Sequence, residues 1–169
     1  VEYSPSFEKS ISRVLSHEGG YANNSLDPGR ETMWGITARV ARENGYKGEM
    51  RFMPREEAIR IYHSSYWLPT RCEELHPALA FQLFDAAVNS GPTQAIRWLQ
   101  KSVGVKEDGI FGPITLAAVK EMDYLKNPLQ FLISRGEFLT SLPTWPAFGK
   151  GWTRRILTNI SFLLEDLQA

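Results

Sequence analysis

A chain of 169 residues forms one compact domain, or at most two subdomains sharing a core, and at this size it buries about 68–70% of its unfolded surface without staples. Lys+Arg and Asp+Glu balance at 19 each, so no global basic field argues for a nucleic-acid partner. The one cysteine, Cys72, excludes an internal disulfide and reads as a buried small hydrophobe, and no run of about 18 apolar residues is present to span a membrane.

The pattern is almost wholly helical. Phe7, Ile11, Val14 and Leu15 recur at i, i+4, i+7 and i+8, one apolar face of a first helix that begins near Ser4 or Ser6 and stops at Gly19-Gly20. Residues 20–37 follow, with Asp27-Pro28-Gly29 as a turn signal and Met33, Trp34, Ile36 and Thr37 as strand formers, which predicts a small irregular β-hairpin. Thr37 then caps a short helix ending at Gly45. Proline marks the next helix starts, predicting segments near 54–66, 77–90, 92–103, 113–122 and 128–141. Leu142–Gly151 (LPTWPAFGKG) reads as a loop before a last helix that carries Ile156, Ile160, Leu163, Leu164 and Leu167 on one stripe. The fold class is mainly α with one small β element.

The stretch HEGGYANNSLDPGRETMWGIT, from His17 to Thr37, is the richest in chemistry. Glu18 stands where the first helix gives way to a loop, so it meets the negative end of the macrodipole, which disfavours its charge. If apolar neighbours also desolvate it, its pKa rises as a general acid at neutral pH requires; the alternative is a solvated glutamate at a frayed helix end. Asp27, nine residues on, can fold back across a cleft as the second group of a glycosidase, with Thr32 helping to hold a water. Asp27 equally starts the Asp-Pro-Gly turn through its side chain, and the two roles coexist.

Other chemistries fall away. His17-Glu18 suggests the zinc signature H-E-x-x-H, but the residue four after His17 is Tyr21, and neither His63 nor His76 has ligand-like spacing to it, so no metal and no cofactor are expected. Neither Ser16 nor Cys72 lies in a nucleophile signature. Asp85 and Asn89 stand at i, i+4 on an otherwise apolar helix, where buried polar groups must be hydrogen-bonded; they either brace a loop or touch substrate. Among the aromatic residues, Trp145 and Trp152 in the Pro/Gly-rich segment are the candidates for stacking on a sugar, and Arg154 and Arg155 for meeting wall carboxylates.

Taken together, the chain resembles the bacterial and phage N-acetylmuramidases of glycoside hydrolase family 108. The resemblance rests on Glu18-Gly19-Gly20-Tyr21, Asp27-Pro28-Gly29-Arg30-Glu31-Thr32, Gly35-Ile36-Thr37, Tyr66-Trp67 and Phe84 to Gly91. From Gly91 onward, Ala95-Ile96-x-Trp98-Leu99-Gln100, Asp108-Gly109-x-Phe111-Gly112-Pro113-x-Thr115 and Phe148-Gly149-Lys150-Gly151-Trp152 are similar to the peptidoglycan-binding segment that accompanies this module. Two places depart from pattern. Thr32 follows Asp27 one residue sooner than in the Glu-Asp-Thr set of other phage muramidases. Arg30 replaces a common glycine, and a left-handed backbone there would strain it.

The resemblance implies a lysozyme-like α+β fold with a small β-hairpin at the active site. It divides the chain into a muramidase region, 1–90, and a helical peptidoglycan-binding region, 91–169, packed on it. The implied activity is cleavage of the β-1,4 bond between N-acetylmuramic acid and N-acetylglucosamine, with Glu18 as acid assisted by Asp27 and Thr32, and with Tyr21, Gly35, Thr37, Asp85, Asn89 and Trp152 on the substrate. The alternatives are a lytic transglycosylase, which needs one acid but no water-handling aspartate, and a non-catalytic wall-binding protein. The expected partner is peptidoglycan, met by a monomer. VEYSPSFEKS has no apolar h-region, so the expectation is synthesis in the cytoplasm, then action in the periplasm or cell wall after release by a holin or secretion system.

Overall fold

The computed structural model describes residues 1–17, 19–25 and 30–168. The chain forms two compact units, Val1–Leu68 and Pro69 onward.

The first unit opens with helix α1 (Pro5–His17). Ser4 caps it, its Oγ accepting from the Phe7 N–H at 3.2 Å, and Pro5 follows at the first position, where a missing N–H costs nothing. Phe7, Ile11 and Val14 are buried, as the apolar stripe requires. The Phe7 ring meets His63 at 4.7 Å and Trp67 at 5.3 Å, both largely edge-on, which fastens α1 to the end of helix α3 (Arg55–Tyr62). Pro54 is the cap of α3 rather than its first residue. The helix expected to run to 66 instead widens into a π-turn over His63–Trp67, in which the Leu68 N–H donates to the His63 carbonyl five residues back. Trp67, at the end of that turn, is wholly buried.

Between these helices in the chain comes a three-stranded antiparallel sheet, its strands side by side in order: β1 (Ala22–Asn23), β2 (Glu31–Met33) and β3 (Ile36–Thr37). Ala22 pairs with Thr32, Thr32 with Thr37, and Met33 with Ile36. Because side chains alternate along a strand, Thr32 and Thr37 share one face, and Met33 and the buried Ile36 share the other. Thr37 then caps helix α2 (Ala38–Glu43), its Oγ1 accepting from the Val40 N–H at 3.2 Å. The helix stops at Asn44, and Gly45 follows in the left-handed region (φ 85°).

The second unit is helical: α4 (Pro77–Ser90), α5 (Pro92–Val103), α6 (Pro113–Lys120), α7 (Lys126–Ser141) and α8 (Trp145–Leu167). Every residue of α4 from Ala78 through Ala87 is buried, so this is the axial helix, and α5, α7 and α8 pack around it. Gly91 (φ 88°) and Pro92 break it from α5. The segment expected as a loop over Leu142–Gly151 is corrected: α8 already begins at Trp145. Pro146 falls in the first turn, where no N–H is needed. Gly149 is buried beneath the Trp145 ring, where a Cβ would sit 2.5 Å from the indole, so the glycine that suggested a loop serves ring packing instead. Among the described residues no helix is long and apolar enough to cross a membrane.

Candidate functional site

In the first unit the hairpin is tied to residues outside it. Its β2–β3 turn has only two residues, Trp34 (φ 54°) and Gly35 (φ 77°), and two positive φ angles in succession are what a type I′ turn requires. Gly35 adopts this freely; a bulky tryptophan does so against a steric penalty of about 1–2 kcal/mol. Two hydrogen bonds hold Trp34 there. Its indole N–H donates to the Met53 carbonyl at 2.9 Å, and the Tyr62 hydroxyl donates to its backbone carbonyl at 2.7 Å. Tyr62 is itself buried, so the turn is tied to α3 from beneath. Arg30, just before β2, is also left-handed (φ 50°), so this position does need φ > 0 and an arginine meets that need.

The hairpin carries four of the residues expected at the site. Thr32 is half-buried in the central strand, directly across from Thr37. The Thr37 hydroxyl accepts one bond as a helix cap, which leaves its donor hydrogen for another group. Gly35 forms the turn. Tyr21 precedes β1, with its ring more than a third exposed; its hydroxyl donates to Glu31 Oε1 at 3.1 Å, and the Arg51 guanidinium lies over the ring at 5.5 Å. Glu18 and Asp27 lie outside the described residues; in sequence, Glu18 directly follows α1 and Asp27 precedes β2.

The remaining expected residues belong to the second unit. Asp85, on α4, is fully buried and is gripped by three side chains: Arg135 Nη1 at 2.8 Å, Arg155 Nη2 at 2.8 Å and Asn159 Nδ2 at 2.7 Å. Burial alone would push its carboxyl up, but the charges of Arg135 and then Arg155, with their hydrogen bonds, outweigh it and hold the group well below the usual carboxylate range. Asn89, one turn on, accepts from Arg135 Nη2 at 3.3 Å. Asp85 and Asn89 are thus brought together by one arginine of α7, and Arg155, suggested above as a contact to the wall, turns inward onto Asp85. Arg154 remains exposed.

Trp152 lies half-buried on α8 in a row of rings, 6.0 Å from Trp145 and 5.7 Å from Phe148. Cys72 is buried, its sulfur 3.0 Å from Thr70 Oγ1, and burial pushes its thiol up to about 12, which suits no nucleophile.

Sequence reasoning missed three residues. Tyr62 passes for core on any periodicity argument, and only its hydroxyl, which needs a partner when buried, hints at more. Arg135, a charge set among apolar residues of α7, and Asn159, a polar group on the α8 stripe, carried the same kind of signal: a polar side chain where burial is expected.

Residues 11–91 match the family described as glycosyl hydrolase 108, and residues 94–157 match one described as "Predicted Peptidoglycan domain". The solved structure of SagA from Brucella abortus is similar at 35% identity and a TM-score of 0.87, covering 94% of each chain. No curated protein matches. The fold is accordingly of the lysozyme-like α+β class, mainly helical with a small hairpin sheet. With a hydrolase region, a peptidoglycan domain and a likeness to SagA along nearly its whole length, the chain belongs to the glycosyl hydrolase 108 family and is a peptidoglycan hydrolase.

Proposed function

We propose that the chain is an N-acetylmuramidase that cleaves the β-1,4 bond between N-acetylmuramic acid and N-acetylglucosamine, with Glu18 as general acid. The observation that carries this reading is the pinned hairpin, which follows Glu18 and Asp27 in the chain and presents Thr32 and Thr37 on one face. Hydrolysis of a glycoside needs one carboxyl to protonate the departing oxygen and a second group to manage water or the developing oxocarbenium charge. Glu18 follows the C-terminal end of α1, where the macrodipole opposes a negative charge and so favours the protonated acid. Asp27 then positions water or offsets the developing charge, and Thr32, on a strand that cannot shift without breaking the Tyr62 bond, orients that water. Tyr21, Gly35, Thr37, Asn89 and Trp152 are proposed to support the glycan, and the buried Asp85 to do so only through its neighbours. The region 1–90 performs the chemistry, 91–169 binds peptidoglycan, and the protein acts as a monomer on the wall after its release.

The test is a digest of purified peptidoglycan by the parent and by Glu18→Gln, with reduced products read by mass spectrometry. Muramitol ends from the parent, falling about 10²–10⁴-fold in the variant, are expected. Anhydro ends would instead assign a lytic transglycosylase, and no new ends from either protein would leave only a wall-binding role. An acid that must hold its proton also sets a direction with pH: cleavage should decline above neutrality, and a rate flat from about pH 5 to 9 would overturn Glu18 as the acid.

A further inference from the structure

The second unit contains a cavity of about 260 Å³ at the start of α6, far in sequence from the hydrolase motif. Its floor is built by a buried amide. Gln100, 1% exposed, donates through Nε2 to Asp108 Oδ1 (2.8 Å), the Ile110 carbonyl (3.0 Å) and Thr115 Oγ1 (3.1 Å). Its Oε1 accepts from the Gly109 N–H at 2.9 Å. Gly109 is left-handed (φ 75°), and a Cβ there would press 2.7 Å from the Thr93 methyl, so the Asp-Gly pair is required by the loop's shape.

The loop so fixed and the first turn of α6 hold two isoleucines outward, Ile110 at 69% and Ile114 at 76% exposure, on the lips of the cavity. Large aliphatic groups held out by a rigid frame are apolar surface without a protein partner. Val105 and Pro113 continue the apolar wall. Two charges of opposite sign stand in the same lining. Lys106 makes no hydrogen bond to any described residue, and Asp108 accepts from Gln100 Nε2 and from the Ile110 N–H at Oδ1. Those bonds hold the Asp108 carboxyl below its ordinary range, first through the Ile110 N–H and then through Gln100, so its charge persists at neutral pH.

We propose that this cavity seats the end of a peptide stem of peptidoglycan: small methyl side chains against Val105, Ile110 and Ile114, the terminal carboxylate on Lys106, and the free amine of a diamino residue toward Asp108. The inference rests on the reading of peptidoglycan as substrate and places its peptide, not its sugar, on this face. Charge separates the two: the paired charges of the lining have no counterpart on an N-acetylhexosamine chain, and a cavity of about 260 Å³ suits the end of a peptide.

The experiment uses the full isotope-labelled chain, titrated with a free stem tetrapeptide ending in D-alanine and followed by amide shifts. The peptide contains no glycosidic bond, so nothing is cleaved and binding is read apart from hydrolysis. Expected are shifts centred on Lys106, Ile110, Ile114 and Thr115, with millimolar affinity. Amidating the terminal carboxylate, or Lys106→Gln, should weaken binding about fivefold, as loss of one exposed ion pair implies. Gly112, with extended backbone (φ −105°) and open space where its Cβ would stand, tolerates Gly112→Leu, which should fill the cavity and abolish the shifts. No shifts at about 10 mM peptide, equal binding of the amidated peptide, or the same shifts from a chitin tetrasaccharide would each overturn the proposal. Cleavage of wall material without peptide binding would leave the hydrolase reading standing and remove this one; peptide binding without cleavage would do the reverse.

Discussion

Asp85 shows how one residue's environment sets its role. A lone buried carboxylate is prohibitively costly, and the two arginines and one asparagine around it make its charge sustainable. Removing that charge strands Arg135, which is itself wholly buried, so Asp85→Asn should lower stability by about 3–5 kcal/mol in a denaturant titration. The pH dependence follows from a folded-state pKa depressed below the unfolded one, near 3.9. The contribution is fully present above the unfolded value and is lost as pH falls below about 4 toward the folded one. The parent should therefore lose stability in that acid window, and Asp85→Asn should lose much less; matching acid curves would refute the assignment. Cys72 offers a simpler check. With its thiol pushed up to about 12 by burial, it should resist a thiol reagent at pH 8 until the protein is unfolded, whereas rapid native labelling would show that the site opens.

The hairpin illustrates how an element is specified from outside itself. Three strands of two or three residues have too few ladder bonds to hold a register alone, and the left-handed Trp34 opposes the turn it occupies. Tyr62 and Met53 supply what is missing. Tyr62→Phe should cost about 1 kcal/mol in stability and lower kcat for wall cleavage with little change in KM, since it frees the turn without touching substrate. Replacing Trp34 by Asn in that background, a residue far easier in the left-handed region, should recover part of the lost rate; no recovery would mean that Tyr62 acts otherwise. On α8, Gly149→Ala drives a methyl into the Trp145 indole and should displace the ring row, seen as altered near-ultraviolet circular dichroism with the helical signal retained.

At the scale of the whole molecule the formal charge is zero and the sequence pI about 7.0, so no long-range field draws the protein to an anionic wall. Binding to purified sacculi should change less than about twofold between 50 and 200 mM salt, and a steep decline would reveal a local basic surface at work. Much of this was legible in the residues themselves. Ser4 and Thr37 announced their caps, prolines marked α4, α5 and α6 at their first residues, and the Met33–Thr37 run announced a hairpin. These are local decisions, made by bonds between residues a few places apart, so spacing and residue type suffice. The start of α8 was not legible, because Gly149 looks like a breaker until Trp145 is seen lying over it. Nor were the partners of Asp85, which come from 50, 70 and 74 residues away, or the bond from Tyr62 to a carbonyl 28 residues back. The sequence by itself determined most of the helices and the hairpin, and it set Glu18 directly after the first of them. Only the tertiary structure decided which buried polar groups meet, because burial makes an unpaired donor or charge intolerable and the partner is whichever group the fold brings within reach.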